Sequence, residues 1–255
     1  MKKFKHSGTM GDIIYSLALM QHFGGGEFYL HMNQIDWIGR HYYGAAPNPF
    51  HQGRMTEQDF EFMRSFFEAQ PYITKFDRMN KDTEITHNLD KFRPLFVNHP
   101  GNYIDTYAHA FGITDPEIRK TIRNSPWLYI KDPITIENRP IIVNRTARWL
   151  PPTLDPNWTT WRNEGYDHQA LFVGLPQEYD KFIQDTGWTG TEYYPTPDLL
   201  TLARLIAGCQ EFIGNQSMAL SLAIGLNVEY TCEARKDLPS ERNECIWDHP
   251  KGRYF

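Results

Sequence analysis

Between residues 3 and 31 the hydrophobic positions change period twice. A short strand is predicted over about Lys3 to His6, followed by the loop Ser7-Gly8-Thr9-Met10-Gly11. From about Asp12 the apolar residues Ile13, Ile14, Leu17 and Met20 recur at helical spacing. Gly24-Gly25-Gly26 stops that helix, and Glu27 to His31 alternates as a second strand. Strand, loop, helix and strand in this order are the building block of a parallel sheet. A turn-rich region follows from Gly44 to Gly53. Helices are then predicted over about Glu57 to Ala69, with Phe60, Met63, Phe66 and Phe67 inward, and over Asn102 to Phe111.

The pattern loosens between about 121 and 140, where Pro126, Pro133 and Pro140 bracket short strand-like pieces. It then starts afresh. Pro140 to Asn144 and His168 to Gly174 read as strands, Glu178 to Thr186 and Leu199 to Gly208 as helices. Glu211 to Gly214 reads as a strand, Ser217 to Gly225 as a helix and Asn227 to Thr231 as a strand. The alternation predicts an α/β fold of two Rossmann-like, doubly wound parallel-sheet domains with an inter-domain cleft. The expected division is 1–125, a linker over 126–139, and 140–255.

Composition narrows the classes. With 255 residues, 40% hydrophobic and 22% charged, the chain has what a packed core needs, and wholesale disorder is ruled out. A net charge of −5 argues against coating nucleic acid or an anionic membrane through bulk charge, although it leaves room for a local basic groove. Aromatics at 15% either line a cleft for planar or sugar-like ligands or build an aromatic-rich core. Cys209, Cys232 and Cys245 are too few and too scattered for a disulfide framework or a zinc site. Asp12 breaks the apolar run behind the basic N-terminus, so no signal peptide is read there. No apolar stretch approaches the ~18 residues of a membrane span. The expectation is a reduced, soluble, cytoplasmic protein.

In open α/β sheets ligands bind beyond the carboxyl ends of strands, so the loops that follow strands are the places to look. In the first loop Gly8 and Gly11 allow a tight turn and a close approach of another molecule. Asp12 then has two readings, a helix cap or a general base at the mouth of a cleft. After Phe212-Ile213-Gly214, the run Asn215-Gln216-Ser217-Met218 opens a helix, as a diphosphate site on free N–H groups or as an ordinary Ser/Asn cap. Arg145 and Arg148, three apart after a strand, either clamp phosphate oxygens or pair in solvent with acids such as Asp155 or Glu164. Glu178 in a helix first turn accepts from ribose hydroxyls or complements the helix dipole. No two aspartates stand two apart and no histidines are paired at metal-binding spacing, so no metal site is expected. His6, His99 and His109 lie near these loops and read as surface or hydrogen-bonded structural residues. A Walker A sequence and a Gly-x-Ser-x-Gly elbow are both absent.

These sites in this order resemble the heptosyltransferase-like glycosyltransferases of family 9, which have the two-Rossmann-domain GT-B fold. The resemblance is carried by Gly8 to Leu17, Asn144-Arg145 to Trp149, Phe172-Val173-Gly174 with Glu178, and Leu199 to Leu226 around Gly214-Asn215-Gln216-Ser217. It implies a nucleotide-sugar donor on the C-terminal domain and an acceptor on the N-terminal one. It also implies an inverting displacement that needs no metal and no cofactor. Asp12 matches the family's base, Arg145 and Arg148 its phosphate-binding positions, and Glu178 its ribose-binding acid. Gly8, Thr9, Met10 and Gly11 form the matching loop. The chain departs where the family has Asp-Thr/Ser-Gly and a His three residues on, carrying Gln216, Ser217, Met218 and Ser221 instead. It is also shorter than typical members.

The leading expectation is therefore a glycosyltransferase acting on a hydroxyl of a glycan precursor, or of a modified base in DNA should the chain be viral. A non-catalytic GT-B-like nucleotide- or sugar-binding module is the alternative, and an epimerase on the same scaffold is a third class.

Overall fold

The computed structural model describes residues 1–32, 55–95, 102–235 and 247–255, with Arg148 described in its backbone alone. The turn-rich stretch 44–53, His99 and Cys245 lie outside the described residues. The chain divides into two compact units, 1–129 and 130–255, each with its own parallel sheet.

In unit 1, β1 (Lys3–His6) is followed by α1 (Met10–His22) and β2 (Gly26–Leu30), close to the predicted bounds. Then come α2 (Glu57–Glu68), β3 (Ile73–Arg78), the two-residue β4 (His87–Asn88), a 3-10 helix over Leu89–Leu95, α3 (Tyr103–Ala110) and α4 (Pro116–Asn124). The sheet runs β3-β2-β1-β4, all parallel, so β1 is central with strands added on both sides. The Gly24-Gly25-Gly26 stop holds for a steric reason. Gly25 is left-handed at φ +77°, and a Cβ there would lie 2.1 Å from the Tyr72 carbonyl oxygen. α2 starts at Thr56 with a reciprocal Thr56–Asp59 capping box, and Phe60 and Phe67 stack on Phe76 of β3.

Unit 2 contains β5 (Ile141–Asn144), α5 (Pro156–Asn163), β6 (Ala170–Val173), α6 (Pro176–Thr186) and β7 (Glu192–Tyr194). It continues with α7 (Leu199–Gly208), β8 (Glu211–Asn215), α8 (Met218–Gly225), β9 (Tyr230–Glu233) and β10 (Gly252–Tyr254). The sheet order is β10-β9-β8-β5-β6-β7, again all parallel. β5 leads to β6 and β7 on one side and to β8, β9 and β10 on the other, the doubly wound arrangement.

Several elements were not predicted, and two of them share a cause. α4 and α5 open with Asp115-Pro116 and Asp155-Pro156, in which the aspartate caps the helix and the proline takes its first position. Neither Asp-Pro pair is among the helix starts expected from the hydrophobic pattern. β6 begins two residues later than expected because residues 166–169 form a 3-10 turn. β9 begins late because Asn227, at φ +58°, still belongs to the turn that closes α8. The aromatic surplus is core. Trp158, Trp188, Phe172 and Phe182 are fully buried, and Trp158 packs edge to face with Phe182, Trp188 and Phe255.

Candidate functional site

Each sheet has a point where strand order reverses, between β1 and β4 in unit 1 and between β5 and β8 in unit 2. Parallel strands leave their carboxyl ends together there, and the loops diverge. The sequence candidates fall at these two points.

In unit 1 the loop after β1 turns through Gly8, whose φ is +111°. A Cβ there would sit 2.1 Å from Nη2 of Arg93, so the missing side chain is what lets the guanidinium lie across the loop. α1 starts at Met10 with Thr9 as its N-cap, which puts Asp12 in the first turn and removes the cap reading. Its carboxylate meets Arg93 instead, Oδ2 to Nη1 at 3.4 Å, and is largely buried. Among the described residues no other side chain lies within hydrogen-bonding or ion-pair distance of it. Arg93 is held in turn by Asp90, whose Oδ1 accepts from Nε at 3.0 Å, and it donates through Nη2 to the Ser7 carbonyl. Asp90 Oδ1 also accepts from the Ser7 backbone N–H at 3.2 Å and from Ser7 Oγ at 3.0 Å, while Lys5 stands 3.7 Å from Oδ2. Burial works against the Asp90 charge, but His6, Arg93 and Lys5 outweigh it and hold the carboxyl below its usual range. Burial likewise opposes the Arg93 charge, and Asp12 and Asp90 more than restore it.

His6 is structural. Its ring is fully buried and shares a 2.6 Å hydrogen bond with the Tyr107 hydroxyl, which donates to the Asp12 carbonyl at 2.9 Å. Burial pushes the imidazole down to about 4. His109 is exposed.

In unit 2 the strand ends of β5 and β8 are tied by one side chain. Asn215 accepts from the Thr146 N–H at 3.0 Å and donates to its carbonyl at 2.7 Å. Ser217 caps α8 by accepting from Leu220 N–H at 3.3 Å, which leaves the first-turn N–H groups of Met218 and Ala219 without intrahelical acceptors. Gln216 is buried. Ser221, at the position of the family's histidine, is buried and donates back to the Met218 carbonyl at 2.6 Å. Glu178 accepts from the Leu175 N–H at 3.0 Å, so it does complement its helix start. It also faces Asn144, since the space above Gly174 lies 3.0 Å from both Glu178 Oε2 and Asn144 Nδ2. Asn144 donates to Val173 O at 2.7 Å, while its buried Oδ1 has no hydrogen-bond partner among the described residues.

Arg145 differs from expectation. Its guanidinium meets Glu233 through Nε at 2.7 Å and Nη2 at 3.1 Å, and Asp185 through Nη1 at 2.8 Å. Trp158 Nε1 donates to the same Glu233 carboxylate at 2.9 Å. Arg145 is only 4% exposed, so it is a buried tie between β5, β9 and α6 rather than a solvated arginine. The acids it pairs with are not those expected: Asp155 caps α5, and Glu164 ends that helix. The Arg148 side chain lies outside what is described. Asp90, Arg93 and Glu233 were missed in the sequence, because Glu233 meets Arg145 from another strand, and the Asp90–Arg93 pair on one 3-10 helix meets Ser7 and Asp12 only in the fold. Among the described residues no group of three or more His, Cys, Asp or Glu side chains is placed to hold a metal ion, and no helix is long and apolar enough to cross a membrane.

No protein-family model and no curated protein matches the chain. Solved structures do. A glycosyltransferase of family 9 from Veillonella parvula superposes with a TM-score of 0.60 at 11% identity, over 99% of this chain and 86% of that one. The iron-containing dodecameric glycosyltransferase TibC from enterotoxigenic E. coli gives 0.55 at 13% identity, over 98% of this chain and 61% of TibC. The E. coli heptosyltransferase WaaC with ADP gives 0.51 at 12% identity, over 100% and 92%. The chain thus has the GT-B-like fold of the heptosyltransferase-like glycosyltransferases of family 9, two parallel-sheet Rossmann-like units in tandem.

Proposed function

We propose that the protein is an inverting glycosyltransferase that moves a sugar from a nucleotide-sugar donor to an acceptor hydroxyl without a metal ion. The observation that carries this reading is Asp12. It is a carboxylate at the carboxyl end of a central strand, relieved of capping and held on one oxygen by Arg93. Unit 2 supplies the complementary chemistry. The α8 N-terminus after Asn215 suits a diphosphate, and Glu178, whose Oε2 borders the space above Gly174 together with Asn144 Nδ2, suits ribose hydroxyls. Because Arg145 is held by Glu233 and Asp185, charge on the departing diphosphate falls to Arg148 and the N–H groups of Gln216, Ser217 and Met218. In the transfer the acceptor oxygen bonds to the anomeric carbon, and the bond from that carbon to the phosphate oxygen breaks. The nucleoside diphosphate leaves, and the acceptor proton passes to Asp12.

A panel of ADP, UDP, GDP and their sugar conjugates, read by thermal shift and then by nucleoside diphosphate release, tests the donor. EDTA is expected to change neither binding nor release, and NMR of the product should show the anomeric centre inverted. Asp12→Asn keeps the shape while removing the base, so transfer should fall at least ~10²-fold with donor affinity and melting temperature nearly unchanged. Near-normal transfer by Asp12→Asn would return the carboxylate to a structural role. The buried pairing of Arg145 favours a second reading, a nucleotide-binding module that transfers nothing. Donor binding with no release by the wild type would select it.

A further inference from the structure

We infer that Arg93, locked by Asp90, is the positioning residue that aims Asp12 at the acceptor hydroxyl; this rests on the reading of Asp12 as the base. A carboxylate in a helix first turn has several rotamers, and a base contributes its full rate only when one oxygen points at the proton it removes. Arg93 engages Oδ2 and leaves Oδ1 for the acceptor. The guanidinium is itself immobile for three reasons. Its Nε is bonded to Asp90 at 3.0 Å, its Nη2 donates to the Ser7 carbonyl, and its side chain is only 11% exposed. Asp90 and Arg93 stand three apart on one 3-10 helix, whose period sets such residues one above the other. Asp90 is fixed again by the Ser7 N–H and hydroxyl, so the arrangement ties the ends of β1 and β4 to a single carboxylate. The planar fork of an arginine meets three acceptors through three separate nitrogens held in one rigid plane, and the glycine at position 8 is what makes room for it. With all its described contacts inside the protein, Arg93 acts through Asp12 rather than on substrate.

The test is a mutant cycle on Arg93→Ala, Asp12→Asn and the double variant. Turnover is read as ADP, UDP or GDP release from ADP-glucose, UDP-glucose or GDP-mannose, whichever the wild type uses. Arg93→Ala should lose about 10- to 10²-fold in kcat with the donor KM unchanged, the scale of a displaced catalytic group. Arg93→Lys should recover little of it, added guanidinium ion should recover a good part, and the double variant should be no slower than Asp12→Asn alone. Should Arg93→Ala fail to fold because Asp90 is left buried without its cation, Asp90→Asn/Arg93→Ala removes both charges and takes its place in the cycle. Wild-type kcat in the arginine variants, a raised donor KM at unchanged kcat, or losses that multiply in the double variant would each overturn the inference. A wild type that turns over no donor, or an Asp12→Asn variant of normal rate, would overturn the function proposed above and this inference with it. An active wild type crippled by Asp12→Asn but indifferent to Arg93 would overturn this inference alone.

Discussion

The loop that leaves the first central strand is fastened differently in the two units. In unit 1 it is held by alternating charges, Asp90 to Arg93 to Asp12, and the series ends on a carboxylate engaged at one oxygen. In unit 2 the corresponding loop is held by the neutral Asn215 amide, and the charges beneath it close on one another as Arg145 meets both Glu233 and Asp185. A network left open at one end keeps a group that can take a proton. A closed one leaves neutral donors and a helix N-terminus, which suit an anion. One topology, used twice, thus presents a carboxylate in one unit and neutral donors in the other through the way its central loop is tied down.

The largest effect is expected where the closed network is opened. Glu233→Ala leaves the buried Arg145 guanidinium with Asp185 alone and the Trp158 N–H without its acceptor, at about 3–5 kcal/mol of stability. Pairing it with Arg145→Met removes the half-paired charge and should recover most of that loss. Urea unfolding measures both variants, and a single variant as stable as wild type would mean the pair is not closed as described. Cutting the amide tie should do less. Asn215→Ala leaves the Thr146 N–H and carbonyl without that partner, at about 1–3 kcal/mol, and should weaken nucleoside diphosphate binding as the loop loosens. Calorimetry with the diphosphate found by the panel tests the second part.

Acidification probes the charged side of the comparison. His6 in the folded state titrates near 4, below the ordinary value of 6.5 that it regains on unfolding. Between those values the unfolded chain binds the extra proton, so stability contributed by the neutral ring is complete above about 6.5 and is lost as pH falls toward 4. Asp90, held below its usual carboxylate range, adds a loss at still lower pH as it is protonated. The pH dependence of unfolding should flatten over 6.5 to 4 in His6→Gln. An unchanged slope would show that His6 does not carry it. His249 in unit 2 is also pushed to about 4 by burial, so His249→Gln should remove a separate share. The smallest effects are expected at the two Asp-Pro helix starts. Asp115→Ala and Asp155→Ala should each lose about 1 kcal/mol, read by urea unfolding, and larger losses would mean that these helices do more than cover a sheet.

The sequence by itself determined the elements whose hydrophobic period runs long enough to report a buried face. α1, α2, α3, α6, α7 and α8 were all legible with the strands β1, β2, β5, β6, β8 and β9, and so was the parallel α/β architecture they force. It also placed Asp12 after a Gly-x-x-Gly turn, and the turn is there because Gly8 admits Arg93. Short strands escaped it, since the two residues of β4 and the three of β7 or β10 carry no period. The fate of each charge escaped it as well. Asp12 and Arg93 are 81 residues apart in the chain, and Arg145 and Glu233 are 88 apart. Sheet register alone brings such pairs within reach. Local pattern reports whether a side chain is buried, whereas which opposite charge it is buried against is decided only when strands distant in sequence are laid side by side.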